Sequence, residues 1–264
     1  MLPARRRAEM AQFIQKVGGT DTETLAREFG VSTMTARRDL KILEQENHLR
    51  LTWGGAVPLT FLAEEIPYSN KAVTMLDAKQ AIAEYAASMI TDHSCILLDA
   101  GTTTLALAER ICHRPLTVIT PDVRIAVKLA ACQNITVHIT GGVIDPGSCS
   151  CSDEASVDFL NTINVTQTFI GTNVWDVSRG ASTSSRAKMR IKRKMMERAE
   201  QTVMLADSSK YGAFSPWVVS PLTEFSCLVT DGGLPSTARD AVQQSGADLR
   251  IVDAGAVRQE RKNT

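Results

Sequence analysis

The segment from Asp99 to Leu105 combines a carboxylate, a glycine and three hydroxyls in the order Asp-Ala-Gly-Thr-Thr-Thr-Leu. Its glycine allows the backbone to turn tightly, and its threonines stand where a helix is expected to begin. Free backbone amides and the helix dipole at such a position favour an anion such as phosphate. An alternative that remains open is that the threonines only cap the helix. The candidate binding residues are Asp99, Gly101, Thr102, Thr103 and Thr104.

A second segment with binding chemistry is Asp207-Ser-Ser-Lys210, which follows a hydrophobic run. Its carboxylate, two hydroxyls and ammonium group could together hold the hydroxyls and the phosphate of a sugar. Two further segments, Gly141-Gly142 and Gly171-Thr-Asn173, also come after hydrophobic runs. Glycine is common in loops at such places, so neither of these two segments identifies a site by itself.

Short hydrophobic runs alternate with helical stretches through most of the chain, and these elements must position the candidate loops. Such alternation predicts an α/β fold with a parallel sheet. Ligands of open α/β sheets bind beyond the carboxyl ends of the strands, so we expect the candidate loops to meet there. The predicted strands are Cys95 to Asp99, Leu116 to Thr120, Ile135 to Thr140, Thr168 to Gly171, Thr202 to Ala206, Cys227 to Thr230 and Leu249 to Val252.

Residues 20–40 predict two short helices joined by a tight turn. Thr20 and Glu23 fit a capping box at the first helix, and Ser32 fits the N-cap of the second. Gly30 fits the stop between them. With its apolar residues facing inward, the second helix has a polar and basic outer face. On that face stand Thr33, Met34, Thr35, Arg37, Arg38 and Lys41.

Adjacent arginines on an exposed helix suit DNA, because one can pair with guanine while the other neutralises a phosphate. Before the two helices, Arg5 to Arg7 lead a predicted helix that runs to about Val17. After them, the alternating segment from Leu49 to Val57 is broken by two glycines and predicts a two-stranded wing. The alternative is a small helical domain whose arginines are only solvated.

The segment from Arg5 to Val57 resembles the N-terminal winged-helix domain of bacterial transcription regulators of the DeoR/GlpR family. The similarity lies in Phe29-Gly-Val-Ser32, Arg37-Arg38-Asp39-Leu40 and Gly54-Gly55-Ala56-Val57. Trp53 departs from the family, which usually has histidine before the two glycines. The resemblance implies double-stranded operator DNA as the partner of Arg5, Ser32, Thr33, Met34, Thr35, Arg37, Arg38 and Lys41.

The rest of the chain, to about Thr230, resembles the C-terminal sensor domain of the same family. The matching motifs are residues 99–104, Gly141-Gly142, Lys192 and Asp207-Ser-Ser-Lys210. This sensor domain is similar in fold to ribose-5-phosphate isomerase and typically binds phosphorylated sugars or related metabolites, releasing DNA when it does. By resemblance, a phosphate is held by Thr102, Thr103, Thr104 and Lys210, and the sugar is flanked by Asp99 and Asp207. The effector-binding set is completed by Gly101, Gly141, Gly142 and Lys192.

Three regions are therefore predicted: a winged helix-turn-helix DNA-binding domain at residues 1–57, a linker at 58–75 and an α/β effector-binding domain at 76–264. The expected function is that of a transcription regulator that represses a carbohydrate-utilisation operon and is released by a phosphorylated sugar. A single winged helix reads few base pairs, so a homodimer or homotetramer is expected. No cofactor or metal is expected.

Two departures from the family bear on the ligand. Asn173 stands where the family commonly has an acid, and an amide cannot act as a general base, which argues against the alternative of a sugar-phosphate isomerase. Residues 186–198 hold seven Lys/Arg and one acid, Glu197, where the family usually has glutamates. Either this segment is a solvated basic face, or some of its bases enter the effector site and select a more anionic ligand.

Composition and hydropathy also bear on whether the protein is membrane-bound, secreted or cytoplasmic. The chain has 264 residues, 29 Lys/Arg and 29 Asp/Glu, and no run as long as the roughly 20 apolar residues of a membrane span. No secretory signal follows Met1, so a cytoplasmic protein is expected. Cys95 and Cys227 lie in apolar runs and are expected to be reduced core residues. Cys149 and Cys151 lie in a polar loop, where a redox or metal role is the less favoured interpretation.

Overall fold

A winged helix forms the N-terminal part of the protein in the computed structural model, which describes residues 2–255 except 18, 47, 53, 59 and 66. Its elements are α1 (Pro3–Val17), β1 (Thr20–Asp21), α2 (Thr22–Glu28), α3 (Thr33–Gln45), β2 (Leu49–Thr52) and β3 (Gly55–Pro58). The three helices share a core that includes Met10, Ile14, Leu25 and Leu40. The three strands form a sheet in the order β1-β3-β2. The predicted winged helix-turn-helix is confirmed.

The start of α2 differs from the prediction. The side chain of Asp21, not Thr20, caps the helix and accepts a hydrogen bond of 2.7 Å from the amide of Thr24. Thr20 instead pairs with Ala56 across the small sheet, and this pairing shifts the helix start towards the C-terminus. The capping box of Thr20 and Glu23 was therefore wrong. The other helix signals hold, because Ser32 caps α3 and Gly30 has a φ of +62°.

The wing is the antiparallel hairpin of β2 and β3. Gly55 lies so close to the neighbouring strand that a Cβ there would be 2.1 Å from the carbonyl oxygen of Thr20. Only glycine fits this approach, which explains one of the two glycines that mark the wing in the sequence. Trp53, where the chain departs from the DeoR/GlpR pattern, lies outside the described residues.

The described residues of the predicted linker, 58–75, include two regular elements. These are β4 (Thr60–Phe61) and α4 (Tyr68–Val73). β4 pairs in parallel with β14 (Ala213–Phe214), about 150 residues further on, and the rings of Phe61 and Phe214 are 5.2 Å apart. Such a short strand has too little periodicity to be found from sequence, since its partner is supplied by the tertiary fold.

Beyond the linker, every predicted strand enters one parallel sheet of seven strands in the order β17-β16-β13-β10-β5-β6-β7. The strands are β5 (Cys95–Leu98), β6 (Leu116–Thr120), β7 (Ile135–Ile139), β10 (Val165–Gly171), β13 (Ala199–Leu205), β16 (Cys227–Asp231) and β17 (Leu249–Val252). The short strands β8 (Ile144–Asp145) and β9 (Ser150–Cys151) form a hairpin beside it. A separate three-stranded sheet comprises β11 (Val174–Asp176), β12 (Gly180–Thr183) and β15 (Trp217–Ser220).

Helices cover both faces of the parallel sheet. One core contains residues of α5 (Leu76–Ser88), α6 (Thr102–Ile111) and α7 (Val123–Ala130), with Ile82, Leu107 and Ile125 fully buried. The opposite core contains residues of α8 (Glu154–Asn161), α9 (Arg186–Glu197) and α10 (Ser236–Gln244). This three-layer arrangement confirms the predicted α/β class. No helix among the described residues combines the length and apolarity that crossing a membrane requires.

The cysteines are distributed differently from what the sequence indicates. Cys112, at the end of α6, forms a disulfide with Cys132, which follows α7. The other cysteines are free, among them Cys95 and Cys227 in the sheet, as expected. The disulfide was not predicted, because its partners are 20 residues apart and only the packing of α6 beside α7 brings them together.

Candidate functional site

The exposed face of α3 carries the residues predicted to contact DNA. Arg37, Arg38 and Lys41 are exposed, and Met34 has 79% of its surface accessible. Thr33 is exposed too, whereas Thr35 is half-buried and its hydroxyl lies 2.9 Å from that of Ser32. The Ser32 side chain is therefore already engaged in capping α3. The three cations Arg37, Arg38 and Lys41 face solvent and form no ion pair with a carboxylate in the part of the chain that the structure describes.

The three arginines at the start of α1 divide into two kinds. Arg6 donates to the carboxylate of Asp39 at 2.6 Å, and Arg7 lies 3.9 Å from the same carboxylate. Asp39 is buried on the inner side of α3, so these two side chains join α1 to the recognition helix. Arg5 is exposed, and among the described residues it pairs only with Glu9, one turn along the same helix. Of these three arginines, Arg5 alone is fully exposed to solvent, and its contact with DNA stays a prediction.

A pocket lies where the carboxyl ends of β5, β10 and β13 meet, as expected for an open α/β sheet. It brings together most of the predicted effector residues: Asp99, Gly101, Thr102, Thr103, Thr104, Lys192, Asp207 and Lys210. Three further lysines also line it, namely Lys71, Lys79 and Lys188. The pocket walls thus carry five lysines against three carboxylates, those of Glu65, Asp99 and Asp207. This charge favours an anionic ligand.

One wall of the pocket is the N-terminus of α6. Gly101 has φ 154° and ψ 171°, a backbone conformation found essentially only for glycine, and no described side chain caps the helix. The Thr104 hydroxyl is buried and donates to the carbonyl oxygen of Gly101 at 3.0 Å. The hydroxyls of Thr102 and Thr103 are partly exposed in the pocket. The Thr104 hydroxyl therefore stabilises the turn before the helix. The hydroxyls of Thr102 and Thr103 face the cavity, where they are available to an anion.

Behind that wall, Asp99 is buried beneath Lys192. The Lys192 ammonium donates to Asp99 and also to the carbonyl oxygen of Gly171 at 2.8 Å, while the Gly171 amide donates to Asp99 at 2.9 Å. Asp207 accepts hydrogen bonds from the amide and hydroxyl of Ser209. Both carboxylates are thus already engaged within the protein. By contrast, Lys210 has no hydrogen-bond or ion-pair partner for its ammonium in the part of the chain that the structure describes.

The pocket also contains a cluster of charged side chains that the sequence did not predict. Glu65 contacts Lys71 at 3.2 Å and makes a closer ion pair with Lys188. Lys188 also pairs with Asp145 at 3.0 Å. Burial alone would raise the pKa of Glu65, but hydrogen bonds and charges of the two lysines outweigh it and lower that pKa. Burial lowers the pKa of Lys71, against the opposing effect of Glu65.

Only two of the basic side chains of α9, Lys188 and Lys192, line the pocket. Lys188 and Lys192 share the helix face of Ile191 and Met195, and that face packs on the sheet. Arg190 points outward to Glu154. Arg186 lies near the ring of Trp217. The remaining cations of α9 serve other contacts, as Arg193 donates to the carbonyl oxygens of Val218 and Val219. The i, i+4 spacing of the two inward lysines was a signal available in the sequence.

Gly141 and Gly142 do not line the pocket. The Gly141 carbonyl accepts from the hydroxyl of Ser156 at 2.6 Å, and a Cβ on Gly142 would lie 2.0 Å from an oxygen of Asp153. These glycines shape the base of the loop that follows β7. The pocket is lined instead by residues of the β8–β9 hairpin that follows, including Ser148, Ser150 and Cys151.

A basic recognition helix and a separate lysine-rich pocket at the strand ends define a transcription regulator that binds DNA at one site and a small molecule at another. The chain belongs to the DeoR family. Residues 6–60 match the DeoR-like helix-turn-helix domain, and residues 74–232 match the DeoR C-terminal sensor domain.

Curated relatives extend over nearly the whole chain. The HTH-type transcriptional regulator YgbI of Escherichia coli (strain K12) is 36% identical, over 95% of this chain and 98% of the relative. GlpR of Haloferax volcanii is 32% identical, over 97% of this chain and 100% of the relative. The transcriptional repressor GlcR of Bacillus subtilis (strain 168) is 30% identical, over 96% of this chain and 98% of the relative. Among solved structures, ribose 5-phosphate isomerase A of Neisseria gonorrhoeae matches 50% of this chain and 52% of its own, with 16% identity and a TM-score of 0.37.

Proposed function

We propose that the protein represses a carbohydrate-utilisation operon and leaves its operator when a phosphorylated sugar or sugar derivative binds the pocket. The excess of lysines over carboxylates in a pocket that also contains the N-terminus of α6 carries this proposal. Phosphate is favoured where free helix amides and lysines converge. The name of the Bacillus subtilis relative, a repressor, supports the direction of the effect.

Within this proposal, Thr102, Thr103 and Lys210 bind the phosphate. Their groups are the least engaged by the protein itself: the two hydroxyls face the cavity, and the Lys210 ammonium is without an ion pair among the described side chains. Asp99 and Asp207 lie beside them and would accept hydrogen bonds from sugar hydroxyls. Asn173 lines the same pocket and offers no carboxylate for proton abstraction, so the ligand is bound and not converted.

On the DNA side, Arg37, Arg38 and Lys41 of α3 would enter the major groove, with Thr33 and Met34 beside them. A winged helix presents one such helix, so specific recognition needs two or more copies of the chain on repeated half-sites. A homodimer or homotetramer is therefore part of the proposal. Ligand binding then has to change the relative positions of the two winged helices, with a coupling of about 1–3 kcal/mol.

The test starts from genomic fragments recovered with the purified protein at physiological salt. We expect a few sharp sites, and Arg37→Ala with Arg38→Ala should abolish binding to them while ligand binding is retained. The matched control is Arg190→Ala with Arg250→Ala, which removes the same charge from exposed positions of the sensor domain. Diffuse recovery without a shared sequence, or a double variant that still binds the sites, would contradict the proposal.

A further inference from the structure

A carboxylate from the connecting segment lies inside the effector pocket. Glu65 belongs to the stretch between β4 and α4 and contacts two pocket lysines, Lys71 and Lys188. The three side chains are largely buried, with 25%, 11% and 12% of their surfaces accessible. Glu65 therefore gives the pocket an anionic group from the protein itself, at a position where lysines from α4 and α9 converge.

The pocket as it stands is nearly full. It encloses about 60 Å³, well below the roughly 300 Å³ or more of a small-molecule site. Something must leave before a sugar phosphate can enter. Lys192 and Lys79 are fixed by hydrogen bonds to backbone carbonyls as well as by their position on long helices. Glu65 lies on irregular backbone, since residues 62–65 form neither helix nor strand, whereas the other two pocket carboxylates, Asp99 and Asp207, accept hydrogen bonds from backbone amides.

We propose that Glu65 is an internal substitute for part of the ligand. In this view, which rests on the proposed function, the effector is a phosphorylated sugar acid whose carboxylate replaces that of Glu65 between Lys71 and Lys188. The phosphate would occupy the separate position at the α6 N-terminus. Binding then expels Glu65 from the pocket.

The electrostatics of the cluster explain why the replacement must be anionic. When Glu65 leaves, Lys188 retains Asp145 at 3.0 Å, but among the described side chains Lys71 retains only the amide oxygen of Asn173 at 3.4 Å. A buried lysine without a counter-charge, facing a second lysine, is strongly disfavoured. The hydroxyl or aldehyde of a neutral sugar end cannot supply that charge, whereas a carboxylate can.

Expulsion of Glu65 would act directly on the path to the DNA-binding domain. The stretch that carries Glu65 is continuous with β4 and, before it, with wing strand β3. It is held on the sensor domain by two hydrogen bonds at Leu62, from its amide to Phe214 at 2.9 Å and from the Ser215 hydroxyl to its carbonyl at 2.7 Å. A ligand that displaces Glu65 therefore pulls on the chain that leads to the wing.

The experiment measures binding of matched ligand pairs to the full-length protein by calorimetry. The probes are phosphorylated sugar acids of three to six carbons, each with its aldehyde counterpart, for example 6-phosphogluconate with glucose 6-phosphate. In at least one pair we expect the acid to bind tenfold or more tightly than the aldehyde. Glu65→Gln should tighten acid binding several-fold, because the internal competitor loses its charge, whereas the same change at exposed Glu64 should not.

A second pair of variants checks the lysine. Lys188→Met should reduce the preference for the acid at least fivefold, and Lys194→Met, on the same helix but paired with Glu197, should not. Circular dichroism verifies that the variants fold. Acid binding should also increase hydrogen exchange in residues 60–75 of the wild type.

The outcomes separate this inference from the function on which it rests. Equal binding of acids and aldehydes overturns the inference and leaves a sugar-phosphate regulator standing. Binding of neither class at millimolar concentration overturns both. A preference for acids that is the same in Glu65→Gln as in wild type overturns the role of Glu65.

Discussion

Arg50, on wing strand β2, donates a hydrogen bond of 2.6 Å to the carbonyl oxygen of Tyr211 in the sensor domain. Its guanidinium also lies over the ring of Tyr211, 4.6 Å from the centroid. The following residue, Gly212, packs so closely that a Cβ there would be 1.8 Å from a guanidinium nitrogen. Tyr211 comes directly after Lys210 of the pocket. The wing and the effector pocket are therefore joined through adjacent residues.

Replacing Arg50 tests this contact. We expect Arg50→Ala to lower the free energy of unfolding by about 1.5–3 kcal/mol, because a hydrogen bond from a charged donor and a cation–π contact are both lost. Arg50→Lys should recover only part of this, since an ammonium cannot match the planar fork. Urea denaturation gives the stability, and hydrogen exchange of residues 207–214 should rise. Unchanged exchange there would show that Arg50 does not hold the loop.

Arg5 and Arg6 give a matched pair with opposite expectations. Arg6→Ala leaves the buried carboxylate of Asp39 without its nearest partner and should cost about 3 kcal/mol of winged-helix stability. Arg5→Ala removes only an exposed pair and should leave the stability of the winged helix essentially unchanged. Thermal unfolding compares the two. Similar losses from both changes would contradict the division of the basic cluster.

We expect Arg5→Ala to change DNA binding instead of stability. If Arg5 contacts a phosphate, the dependence of operator affinity on salt should fall by about one unit of slope. The measurement is fluorescence anisotropy on an operator fragment over a range of salt concentrations. A slope equal to that of wild type would show that Arg5 is only solvated.

The acid stability of the pocket rim should depend on Asp145. Hydrogen bonding from the Ser148 hydroxyl, together with Lys188, lowers the pKa of Asp145 to about 2. Because the folded-state pKa is depressed, the stabilising contribution is complete above the ordinary pKa near 4 and is lost as pH falls towards 2. Asp145→Asn should thus cost up to about 1 kcal/mol at pH 7, a value discounted because the side chain is 38% exposed, and less below pH 4.

Denaturation of the Asp145→Asn variant and wild type at pH 7, 4 and 3 measures this difference. Asp158→Asn is the control, because Asp158 is an exposed carboxylate on α8. A difference between Asp145→Asn and wild type that stays constant with pH would show that the carboxylate charge is not involved.

The disulfide between Cys112 and Cys132 can be tested by counting free thiols. Iodoacetamide added to the denatured protein without reductant should label four cysteines, and six after reduction. Reduction of a bond that closes a loop of about 20 residues should lower the free energy of unfolding by about 3 kcal/mol. Labelling of all six cysteines without reductant would show that the bond does not form.

The elements that were predicted correctly are those whose signal lies within one element. Each of the seven sheet strands is a compact hydrophobic run, and Ser32 and Gly30 mark helix ends by contacts a few residues away. The capping box at Thr20 failed because Thr20 takes part in a strand pairing with Ala56, a partner 36 residues distant. The short strand β4 within the linker was not predicted for the same reason, since its partner β14 lies far along the sequence.

The pocket shows the same division. The loops at residues 99–104 and 207–210 were found because parallel strands of one sheet end on one edge, so their loops meet wherever the strands form. Glu65, Lys71 and Lys79 were not found, because they come from outside the strand-end loops and reach the cavity only when α4 and α5 pack over it. Gly141 and Gly142 were placed in the ligand site although they shape the base of a neighbouring loop.

The sequence by itself determined the seven strands of the parallel sheet, the winged-helix class and the family, because periodicity, helix caps and turn glycines depend on neighbouring residues. Only the tertiary structure decided which charges meet. It buried Arg6 against Asp39, left Arg37 and Arg38 exposed, and turned Lys188 and Lys192 of α9 inward. Ion pairs between distant residues carry no periodic signal, and their partners are set by how the elements pack.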